Sequence, residues 1–436
     1  MATKKTVTKT TKKTITKKKQ SPTIFVQIAA YRDPELLTTI KDCLSKAAHP
    51  EHLTFAIAWQ HNPYEAWDTL DEYKDNPQFR ILDIDYRDAK GVCWARAQLN
   101  ELYEGQKYTL QLDSHHRFAE HWDTTVIEML ENLRSEDCPK PLLSSYLPSY
   151  HPAQEPNGRI MSPWIMEFDR FAPEGPVHFQ PHTIDDFMER DRPIPSRFIS
   201  GHFIFTDGVF CQEVPYDPTY YFHGEEINLS VRAYMAGYDL FAPHRVFIWH
   251  EYTREGKKKH WDDHTDWPEL DKKSHAHNRD ILGIDNPHSE KLLPKHQRTL
   301  RDYEKYAGLE FSTRRAHKKT IEKILPPVST DDISHKNGLM NYHKMCIDIY
   351  RPTFTENDYD AWAIAFEDVS GKEIYRQDAN EQEIQQLLSV PVEVDKFIHI
   401  WRSFYSETIP VRWIVWPHSR SKEWTERLTG EFPVKG

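Results

Sequence analysis

The apolar positions along the chain change period in a regular way. Residues 23–30, Thr-Ile-Phe-Val-Gln-Ile-Ala-Ala, form a short apolar run rich in β-formers and predict a buried strand. Pro34 is placed to open a helix in which Leu36, Leu37, Ile40 and Leu44 recur at helical spacing until His49-Pro50 stops it. Residues 53–59 and 79–86 read as further strands, 91–104 as a helix and 108–113 as another strand. Such alternation implies βαβ units, that is, a Rossmann-like α/β fold with a mainly parallel sheet and helices on both faces. Open sheets of this class bind ligands beyond the carboxyl ends of their strands, which here are Ala30-Tyr31-Arg32 and Asp113-Ser114-His115.

Residues 146–197 are rich in Pro, His and acidic groups without clear periodicity, and are expected to form a long functional loop or lid. Regularity returns with a strand over 198–205, a helix over 226–236 ending at Gly237, and a strand-like stretch over 240–249. The highly charged segment 254–324 is expected to supply surface loops and helices. Pro326-Pro327 marks a linker, and the β-branched and aromatic clusters at 344–350, 361–368, 397–404 and 411–416 predict a small β-sandwich-like module over 335–436. The expected division is therefore a tail over 1–21, a large α/β domain over 22–325 and a β-rich accessory domain over 335–436.

A length of 436 residues is too great for one ordinary core and agrees with two domains. Charged residues reach 28% against 38% hydrophobic, but aromatics at 13% supply large burial per residue. No apolar stretch is long enough for a membrane span, and the N-terminus has no apolar core of a signal peptide, so a soluble, cytoplasmic protein is expected. Five scattered cysteines without a CxxC pair argue against a disulfide framework and against a cysteine-type zinc site. The formal net charge is −11, yet residues 3–19 contain only Thr, Lys, Val and Ile. This basic tail reads as a disordered solvated extension or as an attractor of polyanions.

In an extended chain leaving a strand, residues two apart point the same way, so Asp113 and His115 can converge on a divalent ion. Mixed oxygen and imidazole ligation suits Mn²⁺ better than Mg²⁺, though either is a candidate. The same spacing recurs at Asp262-Asp263-His264, in a hydrophilic stretch without a preceding buried strand, and is read there as a decoy. Glu225 and Glu226, after Gly224, open a helix: they either cap it or accept hydrogen bonds from hydroxyl groups of a substrate, with Gly224 permitting close approach. His250 ends an apolar strand and is either a structural histidine or the third ligand of an undersaturated metal site. Arg96, in Gly91-Val92-Cys93-Trp94-Ala95-Arg96, either lies on a helix surface or serves with backbone donors to bind a diphosphate.

These blocks, with Ile28-Ala29-Ala30-Tyr31-Arg32-Asp33-Pro34, Leu112-Asp113-Ser114-His115, His223-Gly224-Glu225-Glu226, Ile248-Trp249-His250 and the late run from Arg298 to Gly308, resemble a known family. It comprises the cytoplasmic glycosyltransferases that add α-linked N-acetylglucosamine (GlcNAc) to hydroxyproline of the ubiquitin-ligase adaptor Skp1, with bacterial and viral relatives. The likeness spans residues 22–315. It implies a GT-A fold, UDP-GlcNAc as donor, retention of anomeric configuration and Mn²⁺ dependence. It further implies that Asp113, His115 and His250 ligate the metal, that Ala30, Tyr31 and Arg32 lie near the uridine, and that Glu225 or Glu226 lies near the sugar. The mucin-type polypeptide N-acetylgalactosaminyltransferases have a similar Asp-x-His plus distal His arrangement.

The acceptor is expected to be a protein hydroxyl, at hydroxyproline, Ser or Thr, or a glycan. The tail and the C-terminal module lie outside the likeness. The basic tail and the basic runs 254–259 and 314–319 motivate an alternative acceptor, a hydroxylated nucleobase in DNA. A non-catalytic carbohydrate- or nucleic-acid-binding relative is the reading from a different class.

Overall fold

The computed structural model describes residues 22–135, 138–284 and 297–433, so the basic tail lies outside the described residues. Its centre is an eight-stranded sheet. The first half is built as the hydrophobic pattern predicts. Strands β1 (Ile24–Tyr31), β2 (Leu53–His61), β3 (Phe79–Asp85) and β4 (Tyr108–Leu112) are joined by helices α1 (Leu36–Lys46) and α2 (Val92–Glu101). β1 pairs in parallel with β2 and β4, and β2 with β3. Phe25, Val26 and Ile28 are fully buried, as expected of a strand covered on both faces. Side chains of α1 and α3 (Trp122–Ser135) pack on one face of the sheet, whereas Ala95 and Leu99 of α2 meet Phe25, Ala56 and Ala58 on the other.

The helix over 36–46 rotates slightly from its expected phase. Its buried stripe is Leu36, Thr39, Ile40 and Cys43, and Leu37 and Leu44 are only partly buried. Thr39 is inside because it works as a polar clamp: its hydroxyl donates to the Ser114 carbonyl at 2.9 Å and accepts from the His116 amide at 2.9 Å.

Three expectations beyond β4 are corrected. After the short strands β5 (His116–Phe118) and β6 (Pro141–Leu143), the expected loop over 146–197 contains a hairpin, β7 (Trp164–Phe171) with β8 (Val177–Thr183). Met166, Phe168, Phe171 and Val177 enter the core; burial on both faces of β7 removed the alternation that would have revealed it. Second, the strand expected over 198–205 begins only at Phe203. β9 (Ile194–Pro195) precedes it, β10 runs Phe203–Asp207, and residues 198–202 bend so that the Gly201 backbone passes against Arg96. Third, the stretch 240–249 divides at Pro243. After α4 (Phe210–Glu213) and α5 (Glu225–Met235), β11 (Asp239–Ala242) joins the main sheet, whereas β12 (Ile248–His250) pairs with β5 away from it. The sheet order is β3-β2-β1-β4-β10-β6-β11-β9, with β10 antiparallel to its neighbours. The main sheet is thus mostly parallel, in an α/β arrangement.

The charged segment supplies α6 (His260–Asp263), α7 (Trp267–Leu282) and α8 (Leu300–Ala307), then the paired strands β13 (Leu309–Glu310) and β14 (Arg315–His317). The C-terminal part is β-rich. β15 (Leu339–Tyr350), β16 (Tyr359–Glu367), β17 (Glu373–Arg376), β18 (Ala379–Asn380), β19 (Phe397–Ser406) and β20 (Arg412–Ser419) enclose Ile347, Trp362, Ile364, Phe366, Ile400 and Val415. β14 hydrogen-bonds to β15, so backbone pairing crosses the Pro326-Pro327 linker. All five cysteines are free. Among the described residues no helix is long and apolar enough to cross a membrane.

Candidate active site

The chain departs from β1 to one side of the sheet and returns at β4 on the other, so the crevice at their carboxyl ends is a topological switch point. Asp33 and Asp113 leave the sheet there. A cleft of about 340 Å³ opens at this point, within the ordinary range for small-molecule sites. Its wall includes Tyr31, Arg96, Asp113, Ser114, His115 and His250, bringing together residues far apart in sequence.

The pairing of β5 with β12 explains how His250 arrives. β5 begins at the residue after His115, and the antiparallel register sets His250 opposite His116. The Glu251 amide then donates to the His115 carbonyl at 3.1 Å. One ligand atom from each of Asp113, His115 and His250 consequently lies within 4.8 Å of the others. His250 Nε2 is 3.6 Å from Asp113 Oδ2, and His115 Nε2 is 3.9 Å from the same oxygen.

Asp33, read from the sequence only as part of a helix-opening turn, sets the orientation of His115. Its buried carboxylate oxygen Oδ2 accepts from His115 Nδ1 at 2.7 Å and from the Ser114 hydroxyl at 2.7 Å. With Nδ1 carrying the proton, His115 turns the lone pair of Nε2 toward Asp113 and His250. Burial alone would raise the pKa of Asp33, but the His115 hydrogen bond and the Arg254 charge outweigh it and hold the group ionised. For His250, burial is the main cause of a pKa pushed down to about 3, so the imidazole is neutral. Both of its ring nitrogens are buried without a hydrogen-bond partner. A buried nitrogen lone pair facing a carboxylate and a second imidazole is left uncompensated by protein alone. This donor set therefore fits a divalent cation with nitrogen and oxygen preference.

Arg96 is not a surface arginine. It is 3% exposed, its Nη2 donates to Asp113 Oδ1 at 2.8 Å and its Nη1 lies 3.9 Å from Glu225. Arg96, His250 and His115 lower the pKa of Asp113 against the opposing effect of burial. Gly91, at the N-cap of α2, has φ +106°, and a Cβ there would meet the Tyr221 carbonyl oxygen at 2.7 Å. Only glycine lets the first turn of α2 come so close to the cleft wall.

Ala30, Arg32, Gly224, Glu225 and Glu226 do not line the cleft. Side-chain alternation turns Ala30 into the core and presents Ala29 instead. Arg32 is held by Asp263 at 2.7 Å and Glu65 at 2.6 Å. Glu225 and Glu226 sit one layer behind: Glu226 accepts from the Gly201 amide at 2.8 Å, and Glu225 neighbours Arg96. Burial raises the pKa of both carboxyl groups, and the negative charge of Glu226 raises that of Glu225 further. Among the described residues the Asp262-Asp263-His264 copy gathers no metal cluster, yet its helix covers the cleft mouth, where His260 and Trp261 line the wall and Asp263 accepts from Tyr31 at 2.9 Å. Sequence reasoning also missed His202, which stacks on His250 with ring centroids 4.1 Å apart.

Fold and cleft together define an α/β protein with a cleft of small-molecule size at the switch point of its sheet. The chain matches the model of the family described as Glycosyltransferase (GlcNAc) over residues 23–75 and 66–313, and it belongs to that family. No curated protein matches the sequence. Among solved structures, GalNAc-T7 with UDP, GalNAc and Mn²⁺ is 16% identical, over 62% of this chain and 52% of that one, with a TM-score of 0.41. The chain thus spans about half the length of GalNAc-T7. S. aureus TarS 1–349 in complex with UDP-GlcNAc is 11% identical over 62% of this chain and 72% of that one, with a TM-score of 0.35. A longer S. aureus TarS structure covers 94% of this chain and 77% of its own at 10% identity and a TM-score of 0.37.

Proposed function

We propose that the protein is a metal-dependent glycosyltransferase that transfers GlcNAc from UDP-GlcNAc to a hydroxyl group with retention of configuration. The observation that carries the reading is the convergence of Asp113, His115 and the partnerless Nε2 of His250 in a cleft at the β1/β4 switch point. In this reading those three residues hold Mn²⁺ or Mg²⁺, and Asp33 keeps His115 in the ligating tautomer. A divalent cation there neutralises the negative charge that develops on a departing diphosphate.

The chain supplies the rest. Ala29, Gln60 and Tyr31 form the cleft wall next to β1, where the nucleoside rests. The first turn of α2, brought close by Gly91, offers backbone N–H groups to the diphosphate. Arg96 is a positioning residue that fixes Asp113, and Glu225 and Glu226 hold Arg96 and the Gly201 bend. The acceptor hydroxyl attacks from the face the diphosphate leaves, and its proton passes to the departing phosphate oxygen, so no enzymic nucleophile is required.

A protein hydroxyl, including hydroxyproline of a Skp1-type protein, or a glycan is the acceptor in this reading, and free cysteines suit a cytoplasmic setting. The DNA alternative gains little from the run 254–259, because Arg254 and Lys257 face Asp33, Glu35 and Glu251. The test is a panel of UDP-sugars assayed for donor hydrolysis with and without Mn²⁺. UDP-GlcNAc hydrolysis that requires Mn²⁺ and disappears in His250→Ala is expected; a protein that hydrolyses no UDP-sugar under either condition refutes the proposal.

A further inference from the structure

The outer face of the β15–β19 pair carries a second group of metal-binding side chains, remote in sequence from the cleft. Ile347 and Ile349 of β15 and Ile398 and Ile400 of β19 point into the hydrophobic core of the C-terminal part. The residues between them face outward. The antiparallel register sets Asp348 directly opposite His399, and Cys346 opposite Trp401. Cys346 Sγ donates to Asp348 Oδ1 at 3.2 Å, and the same oxygen lies 2.7 Å from His399 Nδ1. One sulfur, one carboxylate oxygen and one imidazole nitrogen therefore lie within 4.8 Å of one another. Ligand atoms around a tetrahedral ion with bonds of about 2.0 to 2.3 Å stand roughly 3.5 Å apart, so these three need only small shifts to embrace one.

A fourth residue joins the group. Asp395 Oδ2 lies 3.0 Å from His399 Nε2. When Nε2 donates its proton to Asp395, Nδ1 presents a lone pair toward Cys346 and Asp348. A carboxylate on the far nitrogen is the usual way a ligating imidazole is oriented and made more basic. His399 and Asp348 are also exposed, leaving room for water as a remaining ligand. The thiolate selects a softer ion than the cleft does, since the cluster in the cleft contains no sulfur. Thiolate and carboxylate together balance the charge of a divalent cation.

We propose that Cys346, Asp348 and His399 form a second divalent-cation site of Zn²⁺ type, with Asp395 positioning His399, and that the bound ion clips β15 to β19. The sequence showed no such site because the usual CxxC signal is absent and the third ligand arrives by cross-strand register.

Co²⁺ is the test probe, added to the full chain, because a cobalt–thiolate bond produces a charge-transfer absorption that oxygen and nitrogen ligands do not. One equivalent of Co²⁺ is expected to give this band in the native protein, in Asp113→Asn and in Cys138→Ser. Cys346→Ser is expected to abolish the band, and His399→Gln to abolish it or weaken Co²⁺ binding at least tenfold. Asp395→Asn should keep the band with roughly tenfold weaker binding. Zn²⁺ should displace Co²⁺ and, with Asp113→Asn as the background so that the cleft group is disabled, raise the melting temperature of the chain that keeps Cys346 but not of the one that also carries Cys346→Ser. Cys346 lies on the outer side of its strand, so a Ser there leaves the core intact, and circular dichroism checks folding. A native protein without the band, or a band that survives in Cys346→Ser, overturns the proposal.

Discussion

Asn at position 33 would keep the shape of the Asp33 side chain and remove its charge. In the native chain one oxygen of this buried carboxylate accepts from His115 Nδ1 and from Ser114 Oγ, each at 2.7 Å, with Arg254 at 3.5 Å. A hydrogen bond to a charged acceptor contributes about 1.5 to 3 kcal/mol against about 1 kcal/mol for a neutral one. Asp33→Asn therefore weakens the hold on the His115 tautomer by about 0.5 to 2 kcal/mol. If His115 is a metal ligand, that loss appears in metal affinity as a factor of roughly 2 to 30 at 1.4 kcal/mol per decade. The assay is an Mn²⁺ titration of UDP-GlcNAc hydrolysis, paired with direct calorimetric titration of Mn²⁺. Half-saturation should move upward by that factor while the rate at saturating Mn²⁺ is largely retained, because Asp33 does not itself line the cleft. An unchanged half-saturation in a folded Asp33→Asn protein would refute the orientation argument. So would a rate loss that added Mn²⁺ fails to restore.

Three other outcomes follow from the same geometry. Gly91→Ala puts a Cβ at 2.7 Å from the Tyr221 carbonyl oxygen at a φ of +106°, and is expected to cost about 1 to 3 kcal/mol in urea unfolding and to weaken UDP binding. Arg96→Met leaves Asp113 and Glu225 without their buried cation and should destabilise the fold by about 3 kcal/mol, also read from urea unfolding; a loss below the scatter of that measurement counts against a positioning role. For Asp217, burial raises the pKa but the hydrogen bonds from His277 and Thr219 outweigh it, lowering it from 3.8 to about 2. The stability this supplies is complete above the unfolded value of about 4 and is lost as pH falls toward the folded value. The melting-temperature gap between the native chain and Asp217→Asn should thus be full near neutrality and shrink below about pH 4, and a gap constant through that window refutes it.

Much of the α/β half is legible along the chain because its strands are covered on both faces. Phe25, Val26, Phe55 and Leu110 are fully buried and read as short apolar runs, and the loops that line the cleft follow from the ends of those runs. What escapes is whatever depends on long-range pairing. Nothing local to His250 distinguishes a structural histidine from one facing Asp113; the β5–β12 register decides it. Asp33 was hidden for a similar reason, since its partner His115 comes from another strand end. The phase of α1 misled because a buried Thr39 looks polar in sequence while its hydroxyl is occupied by the backbone of the site loop. The same alternation that marks β1 as a strand also decides that Ala29, rather than Ala30, faces the cleft.

The two copies of Asp-x-His separate on physical grounds that spacing cannot express. Asp113 and His115 flank the bend at Ser114 between β4 and β5, and one ligand atom of each lies within 4.8 Å of the other. Asp262 lies in the one-turn helix α6 and His264 at its end, where each residue turns about 100° and a separation of two points side chains apart. Accordingly Asp262 accepts from the Lys259 amide at 2.8 Å, and His264 Nε2 donates to the Tyr86 carbonyl at 3.0 Å. Yet the second copy is not idle. Asp263, between them, grips Tyr31 and Arg32 at the end of β1, so the segment that fails as a metal motif fastens α6 over the mouth of the cleft that the first copy lines.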